Sequence, residues 1–213
     1  MKTRSTSLVR SGRQAQAQRN NARILQAARR VFLANPDAPI SAVARQAGVG
    51  ISALYLRYRS KDELLRRLCA QGLETYIAEA EAALSERADV WTAYSSFMRR
   101  IVDADTHALV LRLAGKFKPS RDLYRLAAKS QRLSVELFER VKAARKIRRD
   151  VGIVDIALLF EQLAALRVGD PDKTARLRRR YLALMVDALR SRNAAPLPGP
   201  QPQWRDVNER WNP

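Results

Sequence analysis

Between Ile40 and Leu65 the chain reads ISAVARQAGVGISALYLRYRSKDELL, and few structures are open to such a stretch. Val43, Ala44, Ala47, Val49 and Leu54 are small or apolar at helical spacing. Gly48 interrupts them where a left-handed residue ends a helix. The pattern predicts one short helix from Ser41, as N-cap, to about Ala47, and another from about Ile51 to Tyr58. Ser60-Lys61-Asp62-Glu63 is a capping box, in which Ser60 and Glu63 satisfy orphan amides. It opens a long helix through about Leu84, with Leu64, Leu68, Leu73, Ile77 and Leu84 on its inner side. Two short helices joined by a glycine turn form a helix-turn-helix, whose second helix enters the major groove of DNA.

The rest of the chain is helical in pattern as well. Ile24, Ala27, Ala28, Val31 and Phe32 recur at helical spacing over about 20–34, with Asn20 or Asn21 as cap. Pro36 and Pro39 end that helix. Further helices are expected at 90–103, 106–114, 120–147, 154–167 and 172–191, punctuated by Gly115, Pro119, Gly152 and Gly169. Asp170-Pro171 is a favourable helix start. No stretch alternates like a strand. The class is therefore all-α. Residues 1–19 are expected as a flexible basic arm and 20–66 as a three-helix DNA-binding domain. Residues 67–192 form a helical effector-binding and dimerisation domain, and 193–213 a Pro-rich tail, irregular or docked.

Charge points to the partner class. The 213 residues carry 40 Lys and Arg against 21 Asp and Glu, a net charge of +19. A chain this basic seeks polyanions. The excess is densest before residue 66. No apolar run approaches the ~20 residues of a membrane span, and the N-terminus lacks the apolar core of a secretory signal. A cytoplasmic, nucleoid-associated protein with no membrane partner is expected. With one His and one Cys, most nucleophile–base pairs and zinc sites cannot be assembled. No Gly-rich phosphate loop occurs. No catalytic residue, metal site or cofactor is expected, so the chain is read as not an enzyme.

Val43-Ala44, Ala47-Gly48-Val49, Leu54-Tyr55, Tyr58, Ser60-Lys61 and Leu64-Leu65 together resemble the TetR family of one-component regulators, over about residues 20–66. The resemblance implies base contacts from Ile51, Ser52 and Ala53 at the start of the recognition helix. It implies phosphate contacts from Tyr55, Arg57 and Lys61, with a further one near Ser41; Arg59, where the family often has Pro, adds another. Gly50 replaces a residue that is often polar. Ser52 alone of the three base readers is polar, so direct readout is thin. Selection then leans on the arm or on DNA shape.

The resemblance also implies a homodimer through the last two helices, so that the two recognition helices of the pair read a pseudo-palindrome in double-stranded DNA. Phe160, Leu163, Leu177, Tyr181, Leu184, Met185 and Ala188 are the interface candidates; burial within one chain is the competing role. An unknown small-molecule effector would sit among Trp91, Tyr94, Phe97, Met98, His107, Phe117, Tyr124 and Phe138, each of which has ordinary core packing as its alternative. Two basic clusters, Lys142 to Arg149 and Arg176 to Arg180, are either solvated helix faces or a surface for an acidic effector or a second DNA segment. The expected function is that of a ligand-released repressor. The rival is an architectural, low-specificity nucleoid protein without an effector, which the charge and the apolar recognition helix favour and the family resemblance does not.

Overall fold

The computed structural model describes the backbone of residues 4–106, 109, 113, 115–190 and 195–208, and the side chains of these from residue 16 to 206. Among the described residues every regular element is a helix, and the one β-bridge pairs Ile147 with Arg190. The chain divides into two compact units, Met1–Leu68 and Cys69–Pro213.

The first unit holds α1 (Arg4–Ala34), α2 (Ile40–Ala47), α3 (Ile51–Arg57) and the start of α4 (Lys61–Ser85). Helix α1 begins well before the expected cap at Asn20. Residues 13–19, RQAQAQR, are good helix formers and 4–19 hold no proline, so the helix runs through the expected cap. Asn20 and Asn21 lie inside it. In the exposed span before them, Arg19 donates to Gln16 Oε1 at 2.8 Å and Gln16 Nε2 donates to Asn20 Oδ1 at 3.2 Å. These are the side-chain pairs that one helical turn brings together. The reading of 1–19 as an arm is thus replaced by helix from Arg4 onward.

The core of this unit is Ile24, Leu25, Ala28, Phe32, Val43, Leu54, Leu64 and Leu65, all at most 5% exposed. Burying the larger of these side chains contributes roughly 1.5–3 kcal/mol each. Helix α2 starts two residues earlier than expected. Its cap position is Pro39, in extended conformation, and Ala42 N–H donates to Pro39 O. Ser41 therefore stands in the first turn, not at the N-cap. The end of α2 follows the sequence: Gly48 takes φ 64°, ψ 40°, which a side chain resists.

The second unit is built from the rest of α4, α5 (Val90–Ala104), α6 (Arg121–Ala143), α7 (Ile153–Ala165), α8 (Pro171–Leu189) and α9 (Trp204–Asn208). Its core includes Tyr76, Tyr94, Phe97, Met98, Phe138, Phe160 and Leu182. Caps set the boundaries. Asp89 accepts from the amides of Trp91 and Thr92, Ser120 from Leu123, and Asp170 from Lys173, with Pro171 opening α8. Most of the helix expected over 106–114 lies outside the described residues. Helix α6 stops at Ala143, short of the expected 147. Arg145 turns to φ 54°, and Ile147, 2% exposed, is carried into the core beside Arg190.

Candidate nucleic-acid interface

Helices α2 and α3 are joined by Gly48-Val49-Gly50. Val43, Ala44, Ala47 and Leu54 are buried and fasten the pair. With Leu54 inward, α3 turns the rest of its surface out. Ile51 is 40% exposed, Tyr55 47% and Leu56 88%, and Ser52, Ala53 and Arg57 are exposed beside them. Ser41 and Arg59 are also exposed.

Two residues of α1 brace this surface. Asn21 Oδ1 accepts from Tyr58 Oη at 2.6 Å and from Arg57 Nε at 3.1 Å. Burial pushes the Tyr58 hydroxyl above its ordinary pKa, so it stays a donor. Arg23 Nη2 donates to Ala47 O at 2.9 Å and closes the end of α2. Sequence reasoning assigned Asn21 to a helix cap and gave Arg23 no role. The one signal was Asn21, a weak helix former, within a helical run.

Lys61 differs from the expectation of a group held out to phosphate. Its Nζ donates to Pro36 O at 3.0 Å and lies 5.3 Å from the Phe32 ring centroid. The carbonyl of Pro36 has no helical partner, and a lysine with an apolar stem reaches it while covering Phe32. The start of α4 keeps a capping arrangement. Glu63 N–H donates to Ser60 Oγ at 3.1 Å, and the Arg59 N–H, not that of Ser60, donates to Glu63 Oε2 at 2.8 Å.

In the second unit the expected effector residues mostly pack against one another. Trp91, Tyr94, Phe97, Met98 and Phe138 are at most 6% exposed. Tyr94 lies 6.3 Å from Phe97, and Tyr76 meets Phe97 edge-on at 5.4 Å. Tyr124 is 62% exposed, and Phe117 is half-buried. His107 lies outside the described residues. Two of the cavities lined by the described residues exceed about 300 Å³. One, of about 340 Å³ between α5 and α8, has Trp91 in its wall along with Arg99, Asp103, Arg179 and Arg190. The other, of about 330 Å³, lies among α4, α6 and α7. Ile153, Ile156, Ala157 and Phe160 form its apolar side, and Tyr76, Ser130, Gln131 and Ser134 its polar side. A hydrogen bond joins Tyr76 Oη and Ser134 Oγ. Burial raises the Tyr76 phenol to about 12.

Of the interface candidates, Phe160 and Leu163 are 4% and 3% exposed. They fill the core of this chain and offer a second chain no surface. Tyr181 and Leu184 are 47% and 59% exposed, Ala188 is exposed, and Leu177 and Met185 are half-buried. Leu177, Tyr181, Leu184 and Ala188 recur at helical spacing on the outer side of α8. Part of each basic cluster is engaged. Arg148 pairs with Asp150 through two bonds, Lys146 with Asp89, and Arg179 with Asp103. Arg178 is 5% exposed and bonds Asp105, Leu166 O and Ala164 O. It is a core clamp and not part of a solvated face.

Residues 24–68 match the model of the N-terminal domain of bacterial regulatory proteins, tetR family. Among solved structures, the chain is similar to a TetR transcriptional regulator from Streptomyces coelicolor. The two are 26% identical over 81% of this chain and 99% of that one, with a TM-score of 0.56. A TetR-like regulator from Mycobacterium smegmatis, solved in complex with proflavine, is 22% identical over 78% and 95% of the two chains, TM-score 0.56. The ketosteroid transcriptional regulator of Mycobacterium tuberculosis is 15% identical over 82% and 96%, TM-score 0.60. The last two likenesses are of fold. Among curated protein sequences none matches the chain. No helix among the described residues is long and apolar enough to cross a membrane.

Proposed function

This chain is a member of the TetR family of bacterial regulators, and from that premise we propose that it is a homodimeric repressor whose α3 helices read a pseudo-palindromic operator and which a small molecule releases. One observation carries the reading: the exposed face of α3, from Ile51 to Tyr55, is set by the inward Leu54 and held to α1 through Asn21. A surface fixed before binding loses little freedom on docking. Ile51 and Ala53 suit thymine methyl groups and Ser52 either a donor or an acceptor on a base edge. Tyr55, Arg57, Arg59 and the amide end of α4 are positioned for phosphates. Lys61 joins them if it exchanges Pro36 O for a phosphate oxygen. Ser41, in the first turn of α2, is a further phosphate donor.

The outer face of α8, with Tyr181, Leu184 and Ala188, supports pairing of two chains. The proflavine complex of the Mycobacterium smegmatis relative supports a small-molecule effector. Of the two cavities, the one among α4, α6 and α7 suits an effector that acts on DNA binding, because α4 carries Tyr76 in its wall and Lys61 at its start. An effector changes DNA affinity only by its differential affinity for the bound and free states.

The test is selection from a random duplex library with the purified chain. The expected product is one enriched pseudo-palindrome, its half-sites about one helical turn, ~34–36 Å, apart or a multiple of that. The mostly apolar surface of α3 and the net charge of +19 favour a second reading, an architectural DNA protein without an effector. A selection that enriches no sequence from a protein that still retains DNA would establish that second reading.

A further inference from the structure

Residues 195–208 run along the segment that precedes α7 and are fastened to it at three places. Arg148 Nη2 donates to Ala195 O at 2.8 Å, the Leu197 N–H donates to Asp150 Oδ2 at 2.9 Å, and Gln201 Nε2 donates to Arg149 O at 3.2 Å. Gln201 is seated so closely that a Cβ on Gly152 would lie 3.1 Å from its Oε1. Pro196, Pro198, Pro200 and Pro202 stiffen the segment, so ordering it costs less entropy than an ordinary tail would. Beyond the third anchor the chain enters α9, and Trp204 comes to the wall of the cavity among α4, α6 and α7. Trp204 is 37% exposed, with the cavity on one side and solvent on the other.

The lining defines what the cavity accepts. Among the described residues no charged side chain lines it. Apolar surface from α7 and the indole of Trp204 face the Tyr76–Ser134 pair. A volume of about 330 Å³ is at the small end of ligand sites. Indole favours flat partners, and the raised Tyr76 phenol is protonated at neutral pH, so the pair offers a hydrogen bond to a neutral group. An anion would be desolvated there with no cation to pair with it. An acidic effector, one of the alternatives that the basic clusters left open, does not suit this lining.

We propose that this cavity binds a neutral, flat, largely apolar molecule bearing one hydrogen-bonding group, and that residues 195–208 are a strap that closes it, with Trp204 as the inner face. The link from the strap to DNA rests on the repressor reading above; the binding and its gating do not.

The probe is 1-naphthol, followed by calorimetry and by stopped-flow fluorescence with the full chain in the absence of DNA. Saturable binding of one molecule per chain is expected, with 1-naphthalenesulfonate weaker by about tenfold or more, since its charge would be buried unpaired. Tyr76→Phe should weaken naphthol binding. Gln201→Ala removes an anchor without touching the cavity, and Trp204→Ala removes the door. Each should speed both entry and release by about tenfold, as when a lid limits access. No saturable binding, or equal binding of the sulfonate, overturns the ligand class. Wild-type rates in both Gln201→Ala and Trp204→Ala overturn the strap. A chain that passes these tests yet ignores DNA would leave the strap standing and refute the repressor reading.

Discussion

Tyr58 donates its hydroxyl to Asn21 Oδ1 at 2.6 Å, and Arg57 Nε shares that oxygen at 3.1 Å. One α1 amide thereby holds the end of the recognition helix and the residue after it. Asn21→Ala removes both bonds and leaves the Tyr58 hydroxyl, in a site 5% exposed, without its acceptor. A loss of about 1–3 kcal/mol of stability is expected, read as a lower melting temperature. Tyr58→Phe keeps the ring and removes the orphaned hydroxyl, so it should cost less than Asn21→Ala. Both should weaken DNA binding, Asn21→Ala more, because Arg57 is released only there.

Arg178 offers a sharper stability test. Its guanidinium bonds Asp105 Oδ1 at 2.6 Å and the carbonyls of Leu166 and Ala164 at 3.1 and 2.7 Å. Arg178→Met removes one partner of the Asp105 carboxylate and those it gives the two carbonyls, and such losses run about 1–3 kcal/mol each. Arg179, on the same helix, pairs with Asp103 with its side chain 60% exposed. Arg179→Met should change stability by ~1 kcal/mol or less. Urea midpoints of the two variants should separate clearly.

The strap should respond to acid. The Asp150 carboxyl is held well below the usual carboxylate range, first by the bond from Arg148 and then by the Leu197 N–H. A depressed folded pKa gives stability that is present above the unfolded value, near 3.9, and is lost as pH falls through the folded one. The Leu197 amide should therefore stay protected from hydrogen exchange at pH 5–7 and lose protection only well below pH 4. Asp150→Asn removes this titration and keeps a weaker acceptor. In that variant, Leu197 exchange relative to other protected amides should be faster at pH 6 and should not show the acid-side loss.

Leu184 and Tyr181 present apolar surface on α8. If two chains pair there, Leu184→Arg buries a charge at the seam and should give a monomer by sedimentation at micromolar concentration. Far-ultraviolet circular dichroism should be unchanged, because Leu184 is 59% exposed within its own chain. An unchanged dimer would place the interface elsewhere.

The helix-turn-helix was legible because its signals are local. Gly48 ends α2 by its own backbone preference, and the apolar spacing around Leu54 sets which face of α3 turns inward. The helix starts at Ser120 and Asp170 were equally local. Long-range partners were not legible. Whether Lys61 meets water, phosphate or Pro36 depends on a carbonyl 25 residues away. Arg178 sits in a run of arginines that looks like a solvated surface, and only the fold brings Asp105 and two carbonyls to it. The same holds for Phe160 and Leu163. Their apolar character fits an interface as well as a core, and the packing of α7 decides between them. Residues 1–19 read as an arm by their charge, although the helix formers of 13–19 support continuation.

The account rests on α3 as a reader of one DNA site, and the most direct measurement is a fluorescence anisotropy titration at several salt concentrations. The purified chain would be titrated against the duplex enriched by selection and against random duplexes of equal length. The account predicts a preference of about 10³-fold or more for the enriched duplex, largely abolished when the base readers Ile51 and Ser52 are both replaced by Ala. Equal and steeply salt-dependent binding to every duplex, unaffected by that double substitution, is the signature of phosphate contacts alone and would contradict it.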